Sequence, residues 1–149
     1  MKLQKNTSLA LYSVLEFASD PTRHISAAEI ADKHGASSHH LAKVLAELAR
    51  NGIVESVRGA GGGYRFVGNA RRLTLMDVIE LFEEVSSPAP QGSERATPVE
   101  LALGAVLSEI DQNAVATFRS ITLATMLRMI ERQQAAAGGG AAPPQASKA

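Results

Sequence analysis

Chemically capable side chains are few in this chain, and their spacing narrows what they could do. There is no cysteine, which removes disulfides, thiolate metal sites and thiol catalysis together. Histidines stand at positions 24, 34, 39 and 40. They match no zinc spacing, and neighbours such as His39 and His40 point to different sides of a helix, so no metal site is expected. Gly59-Ala-Gly-Gly-Gly63 lacks a following Lys-Ser/Thr and lies between two strand-like stretches, unlike a nucleotide phosphate loop, which joins strand to helix. Glu80, Glu83 and Glu84 read as a solvated acidic face, and no nucleophile–base pair sits in a motif context, so catalysis is not expected. What remains is donor chemistry: Ser37, Ser38, His39 and His40 in a row, then Lys43, then Arg58 at the edge of the glycines. Hydroxyl, imidazole, ammonium and guanidinium donors suit phosphate oxygens and the edges of nucleic-acid bases.

These donors need elements to hold them. Thr7 is a competent N-cap for a first helix reaching about Asp20, with Leu11, Val14, Leu15 and Ala18 on one stripe. Ser26-Ala-Ala-Glu29 is a capping box that opens a short second helix, and Gly35 suits its left-handed end. The third helix, about Ser38 to Asn51, gathers Leu41, Val44, Leu45 and Leu48 on one face. A short helix, a glycine turn and a longer helix make a helix-turn-helix. Ser37 and Ser38 then lie at a helix N-terminus, where free N–H groups favour both capping and a phosphate oxygen. Lys43 falls opposite the leucines.

Two short strands, 53–58 and 64–67, flank a five-residue loop with four glycines, which is longer than a tight Asn-Gly hairpin requires. Thr74 begins a fourth helix bearing Leu75, Val78, Ile79 and Phe82; 85–96 is rich in Ser, Pro, Gly and Gln and reads as a loop. Thr97-Pro-Val-Glu100 combines an N-cap, a proline at the first position and a glutamate at the third. The helix that follows carries Val99, Leu103, Val106, Leu107, Ile110, Val115 and Phe118 at near-heptad spacing. A last helix is expected from Thr122 to about Gln134, and 135–149 is expected to be a disordered tail.

The chain has 149 residues, 45% of them hydrophobic and 4% aromatic, so aliphatic side chains must fill a mainly helical core. No apolar run approaches the roughly 20 residues of a membrane span, and the N-terminus does not read as a signal peptide; a cytoplasmic location is expected. Net charge is zero, but residues 1–72 hold 10 Lys/Arg against 6 Asp/Glu, and 73–149 hold 5 against 9. A basic half followed by an acidic half implies that one end faces phosphate.

Ser56-Val-Arg-Gly-Ala-Gly-Gly-Gly-Tyr64, preceded by Leu41-Ala-Lys-Val-Leu-Ala-Glu-Leu48 and Asn51-Gly-Ile-Val54, resembles the Rrf-two family of bacterial winged-helix regulators, which includes iron–sulfur-cluster, nitric-oxide and cysteine-metabolism regulators. The resemblance is strong over about 1–84 and extends in layout over 98–134. It implies a winged helix-turn-helix domain (1–84), a loop (85–97) and a dimerisation helix with a terminal helix (98–134). It also implies a homodimeric repressor on palindromic double-stranded DNA. Ser37, Ser38, His39, His40 and Lys43 would meet the major groove. Arg58 would enter the minor groove, with Gly59, Gly61, Gly62 and Gly63 letting the hairpin tip approach closely. Lys5 would meet the backbone. Val99, Leu103, Val106, Leu107, Ile110 and Phe118 would join two copies. Two departures stand out. Ala42 occupies the place of a base-reading glutamate in some cluster-binding members, and 86–97 holds none of the three cysteines that many members place there. No cofactor is therefore expected. The alternatives are a winged-helix module that contacts protein, or a regulator answering to a small molecule or a partner protein.

Overall fold

A computed structural model describes residues 1–85 and 95–139. Its elements run α1 (Lys5–Ser19), α2 (Ala27–His34), α3 (Ser38–Arg50), β1 (Val54–Val57), β2 (Gly63–Phe66), α4 (Leu75–Ile79), α5 (Pro98–Ser120) and α6 (Leu123–Gly138). The chain is thus mainly α-helical with one antiparallel hairpin, as the sequence predicts.

Helix α1 is the hub, because it packs against α2, α3, α4, α6 and β2. Its central position explains why Leu9, Ala10, Leu11, Val14, Phe17 and Ala18 are all buried, a wider arc than a single stripe. Across from it, α3 buries Leu41, Val44, Leu45 and Leu48. The capping box at Ser26 and Glu29 forms, and Gly35 closes α2 at φ 61°. Leu123, at the start of α6, is fully buried in this same core, and an isolated bridge joins Thr74 to Thr122. The last helix is therefore anchored on the N-terminal half of the chain.

The hairpin registers Val54 with Phe66 and Ser56 with Tyr64. It is docked as well as paired: Ile25 and Tyr64 exchange backbone hydrogen bonds of 2.9 Å in both directions. A Cβ on Gly63 would stand 2.5 Å from the carbonyl oxygen of Ile25, so glycine is what permits this contact.

Three boundaries differ from expectation. Thr7 does not cap α1. The helix starts at Lys5 behind Gln4, whose side chain makes no capping bond. Thr7 is buried in the first turn and donates its hydroxyl to Glu83 Oε2 at 2.8 Å, while the Gln4 N–H donates to the same oxygen at 2.8 Å. A carboxylate from 79 residues away thus supplies the acceptor that a local cap would give, at the positive end of the helix. The strands are shorter than expected, and the fourth helix ends at Ile79, with Phe82 in the turn beyond it. Finally, α6 runs through Ala135, Ala136 and Ala137, which are strong helix formers, so the tail expected from 135 begins later than its composition suggests. Residues 140–149 of that tail, and 86–94 of the loop, lie outside the described residues.

Two outcomes test this packing. Glu83→Ala should lower the unfolding free energy by about 2 kcal/mol in urea melts, since it strands two donors of α1. In a double-mutant cycle with Thr7→Val, the two losses should not add. Gly63→Ala should cost about 1–3 kcal/mol through overlap with Ile25, whereas alanine at Ser56, exposed on the opposite strand, should be nearly neutral.

Candidate nucleic-acid interface

Burying one stripe of α3 fixes what faces outward. Ser37, Ser38, His39, His40, Ala42 and Lys43 are all exposed. Ser37 is the N-cap; its hydroxyl accepts the His40 N–H at 3.4 Å. The Ser38 and His39 N–H groups have no partner among the described residues and remain available at the helix start. The two imidazoles sit edge to face, with centroids 6.2 Å apart. His39, Ala42, Lys43, Ala46 and Arg50 follow helical spacing and are all exposed. The exposed alanines were missed as site residues in the sequence. Their short side chains flank Lys43, so the helix surface is low there and its methyls are accessible.

Arg58 leaves the end of β1 exposed, at the hairpin tip. The glycines beside it each have a reason within the chain itself. Gly59 and Gly61 adopt φ 111° and 76°, conformations a side chain rarely takes. A Cβ on Gly62 would lie 2.4 Å from the Val57 carbonyl oxygen. The run therefore shapes and seats the hairpin before any partner approaches.

Ion pairs sort the cations. Of the ten Lys/Arg in residues 1–72, four are engaged: Arg23 with Glu29, Lys33 with Glu16, Arg50 with Glu47 and Arg65 with Glu55. The other six, Lys2, Lys5, Lys43, Arg58, Arg71 and Arg72, have no carboxylate partner among the described residues. All six are exposed. Arg71 and Arg72 were not singled out in the sequence, where they counted only towards the basic half. Their loop is held by Asn69, whose side-chain and backbone oxygens accept their N–H groups at 3.0 Å.

The second candidate surface is on α5. None of its 23 residues is buried. Val99, Leu103, Val106, Leu107 and Ile110 are 49–75% exposed and share one face. Phe118, grouped with them from the sequence, instead packs with Val115 against the chain's own core. The N-terminus of α5 is capped as predicted: Thr97 and Glu100 form a reciprocal box. The Thr97 N–H, then its hydroxyl, hold the Glu100 carboxyl below its ordinary value of 4.5. His34, expected at a helix end, is half-buried, stacks on Tyr12 at 5.0 Å and lies 3.5 Å from Glu16.

The family model for Rrf2, described as an iron-dependent transcriptional regulator, matches residues 3–129. Donors for iron are poorly represented here. The chain has no cysteine, 86–97 has no histidine, and no group of three His, Asp or Glu among the described residues could hold a metal. A thiolate-ligated cluster does not fit this donor set. A protein of Rhodopseudomonas palustris named HTH-type transcriptional regulator BadM is 46% identical over 134 residues, covering 90% of this chain and 86% of its own length. Among solved structures, T. potens IscR aligns with TM-score 0.73 and 26% identity over 90% of this chain and 91% of its own. The B. subtilis global cysteine regulator CymR aligns at 0.72 over 87% and 98%; at 24% identity it shows the fold alone. A winged helix-turn-helix with partnerless basic side chains at its recognition helix and hairpin, matched over most of its length by the family model, makes this chain a member of the Rrf2 family of transcriptional regulators.

Proposed function

We propose that the chain is a homodimeric repressor that binds a palindromic operator through residues 1–84, without a thiolate-ligated cluster. The observation that carries this reading is the charge sorting: cations elsewhere on the N-terminal half are neutralised by carboxylates, while those at α3, the hairpin tip and the start of α1 are left open. In this reading α3 lies in the major groove. Ser37 and Ser38 hold a phosphate at the helix start, His39 and His40 donate to base edges or phosphate, and Lys43 crosses from helix to groove. Ala42 and Ala46 offer methyls to thymine. Arg58 inserts into a narrowed minor groove, and Lys5, Arg71 and Arg72 add backbone contacts.

Two such surfaces require two copies. A 23-residue helix with no buried residue and an uninterrupted apolar face is unfavourable in water. A second copy packed through Val99, Leu103, Val106, Leu107 and Ile110 would cover it, at the crossing geometry of near-heptad seams. Palindromic half-sites would then lie about 34–36 Å apart, one helical turn. Repression follows from occupancy of a promoter by the dimer.

With about six phosphate contacts per dimer, the logarithm of the binding constant should fall with log salt at a slope near −5. Fluorescence anisotropy on fragments of the protein's own upstream region reads this directly. Lys43→Ala should weaken binding and flatten the slope by about 2 per dimer, one contact per protomer. Arg58→Ala should weaken binding most where the flanks are A·T-rich. If the double variant keeps wild-type affinity at physiological ionic strength, the DNA reading is wrong. Separately, Leu107→Glu should convert a dimer to a monomer in sedimentation velocity and take operator affinity with it; a variant that stays dimeric refutes the proposed seam.

A further inference from the structure

Beside the helix-turn-helix lies a cavity of about 290 Å³, formed between the N-terminus with the first turns of α1 and the turn that joins α2 to α3. That is close to the lower bound for small-ligand pockets, about 300 Å³, and roomy enough for about ten water-sized groups. Its walls are mostly apolar, from Leu3, Leu9 and Ala36, with the ring of Tyr12 to one side. No atom lies within 4 Å of where a Cβ on Gly35 would stand, so the turn itself opens onto free space. The charged groups of the lining are Lys2 and Lys5, both exposed and without a carboxylate partner among the described residues. No acidic side chain lines the cavity.

The contrast with the larger cleft near α2 is informative. That cleft, of about 500 Å³, is lined by Glu16, Arg23, Glu29 and Lys33, which already neutralise one another in ion pairs. It has no unmet charge to offer a ligand. The smaller cavity has two unmet positive charges at the edge of an apolar surface, which is the complement of an amphiphilic anion.

We propose that this cavity binds a small organic acid with one carboxylate and an apolar body. The carboxylate sits between Lys2 and Lys5, and the hydrocarbon lies on Leu3, Leu9 and the Tyr12 ring. Occupancy engages Lys5, which the DNA reading assigns to the phosphate backbone, and fills the space against Gly35 and Ala36, directly before the Ser37 cap of α3. The acid and the operator therefore oppose each other. By linkage, the factor by which the acid weakens operator binding equals the factor by which the operator weakens acid binding. Only this coupling rests on the DNA reading; the binding site stands on the cavity alone.

The test uses the full chain and octanoate, with octanamide as its neutral counterpart and acetate as a charge without a body. Isothermal titration calorimetry in the absence of DNA should show octanoate binding about tenfold or more tightly than either control. Lys2→Gln should weaken octanoate about three- to tenfold. Ser8→Met, which fills the cavity from α1, should abolish it while leaving the operator affinity of the free protein unchanged. Ser8 makes no side-chain hydrogen bond among the described residues, and a thermal melt checks that the variant folds. Absence of octanoate binding, equal affinity for octanamide, or full binding by Lys2→Gln overturns the site. A second arm measures operator affinity with octanoate saturating. A fall of about fivefold or more supports the coupling, and no change overturns the coupling while the site stands. A protein that binds octanoate but no operator at all would instead count against the DNA reading.

Discussion

Burial of one face of α3 governs the exposed surface of this protein. With 3.6 residues per turn, sinking Leu41, Val44, Leu45 and Leu48 into the core leaves no freedom of rotation about the helix axis. His39, Ala42, Lys43 and Ala46 face outward for the same reason that the leucines face inward. Rotating the helix by one residue, about 100°, would bury Lys43 with no acidic partner, a cost far larger than any contact it could gain. The core thus aims the polar face.

The other outward-facing parts are held in relation to that helix by a small number of polar contacts. The Ile25–Tyr64 exchange seats the hairpin against the segment leading into α2. Glu83 ties the end of the α4 region to the start of α1, where Lys2 and Lys5 lie. Neither contact buries much apolar surface. Each instead satisfies backbone or hydroxyl donors that would otherwise be left without partners. The consequence is a frame in which the N-terminus, the helix-turn-helix and the hairpin are fixed with respect to one another, whereas the long α5 departs from it with no buried residue.

Local signals in the sequence read through to the structure well. The capping boxes at Ser26–Glu29 and Thr97–Glu100, the left-handed Gly35 and the buried stripe of α3 all depend on residues within one or two turns of each other. What depends on distant partners was illegible. Thr7 is a good capping residue by type, yet its hydroxyl is a donor to Glu83, 76 positions away. Phe118 fits the apolar spacing of α5, but only the packing of that helix's C-terminal part on the core shows that it points inward. Sequence likewise gives all ten N-terminal cations the same standing. Pairing across strands and helices is what divides them, and it leaves Arg71 and Arg72 among the open ones. The glycine run was legible as a hairpin, but its dependence on the backbone of Ile25 was not.

The lone α5 has a consequence for how this fold comes into being. A helix of 23 residues is capped at its start and yet receives little support from its own chain; isolated helices are only marginally stable in water, and most helical stability in proteins comes from packing. If a second copy provides that packing, assembly and the final ordering of the helix are a single event. Melting temperature would then rise with protein concentration, and the intracellular amount of the protein would set how much of it is competent to act.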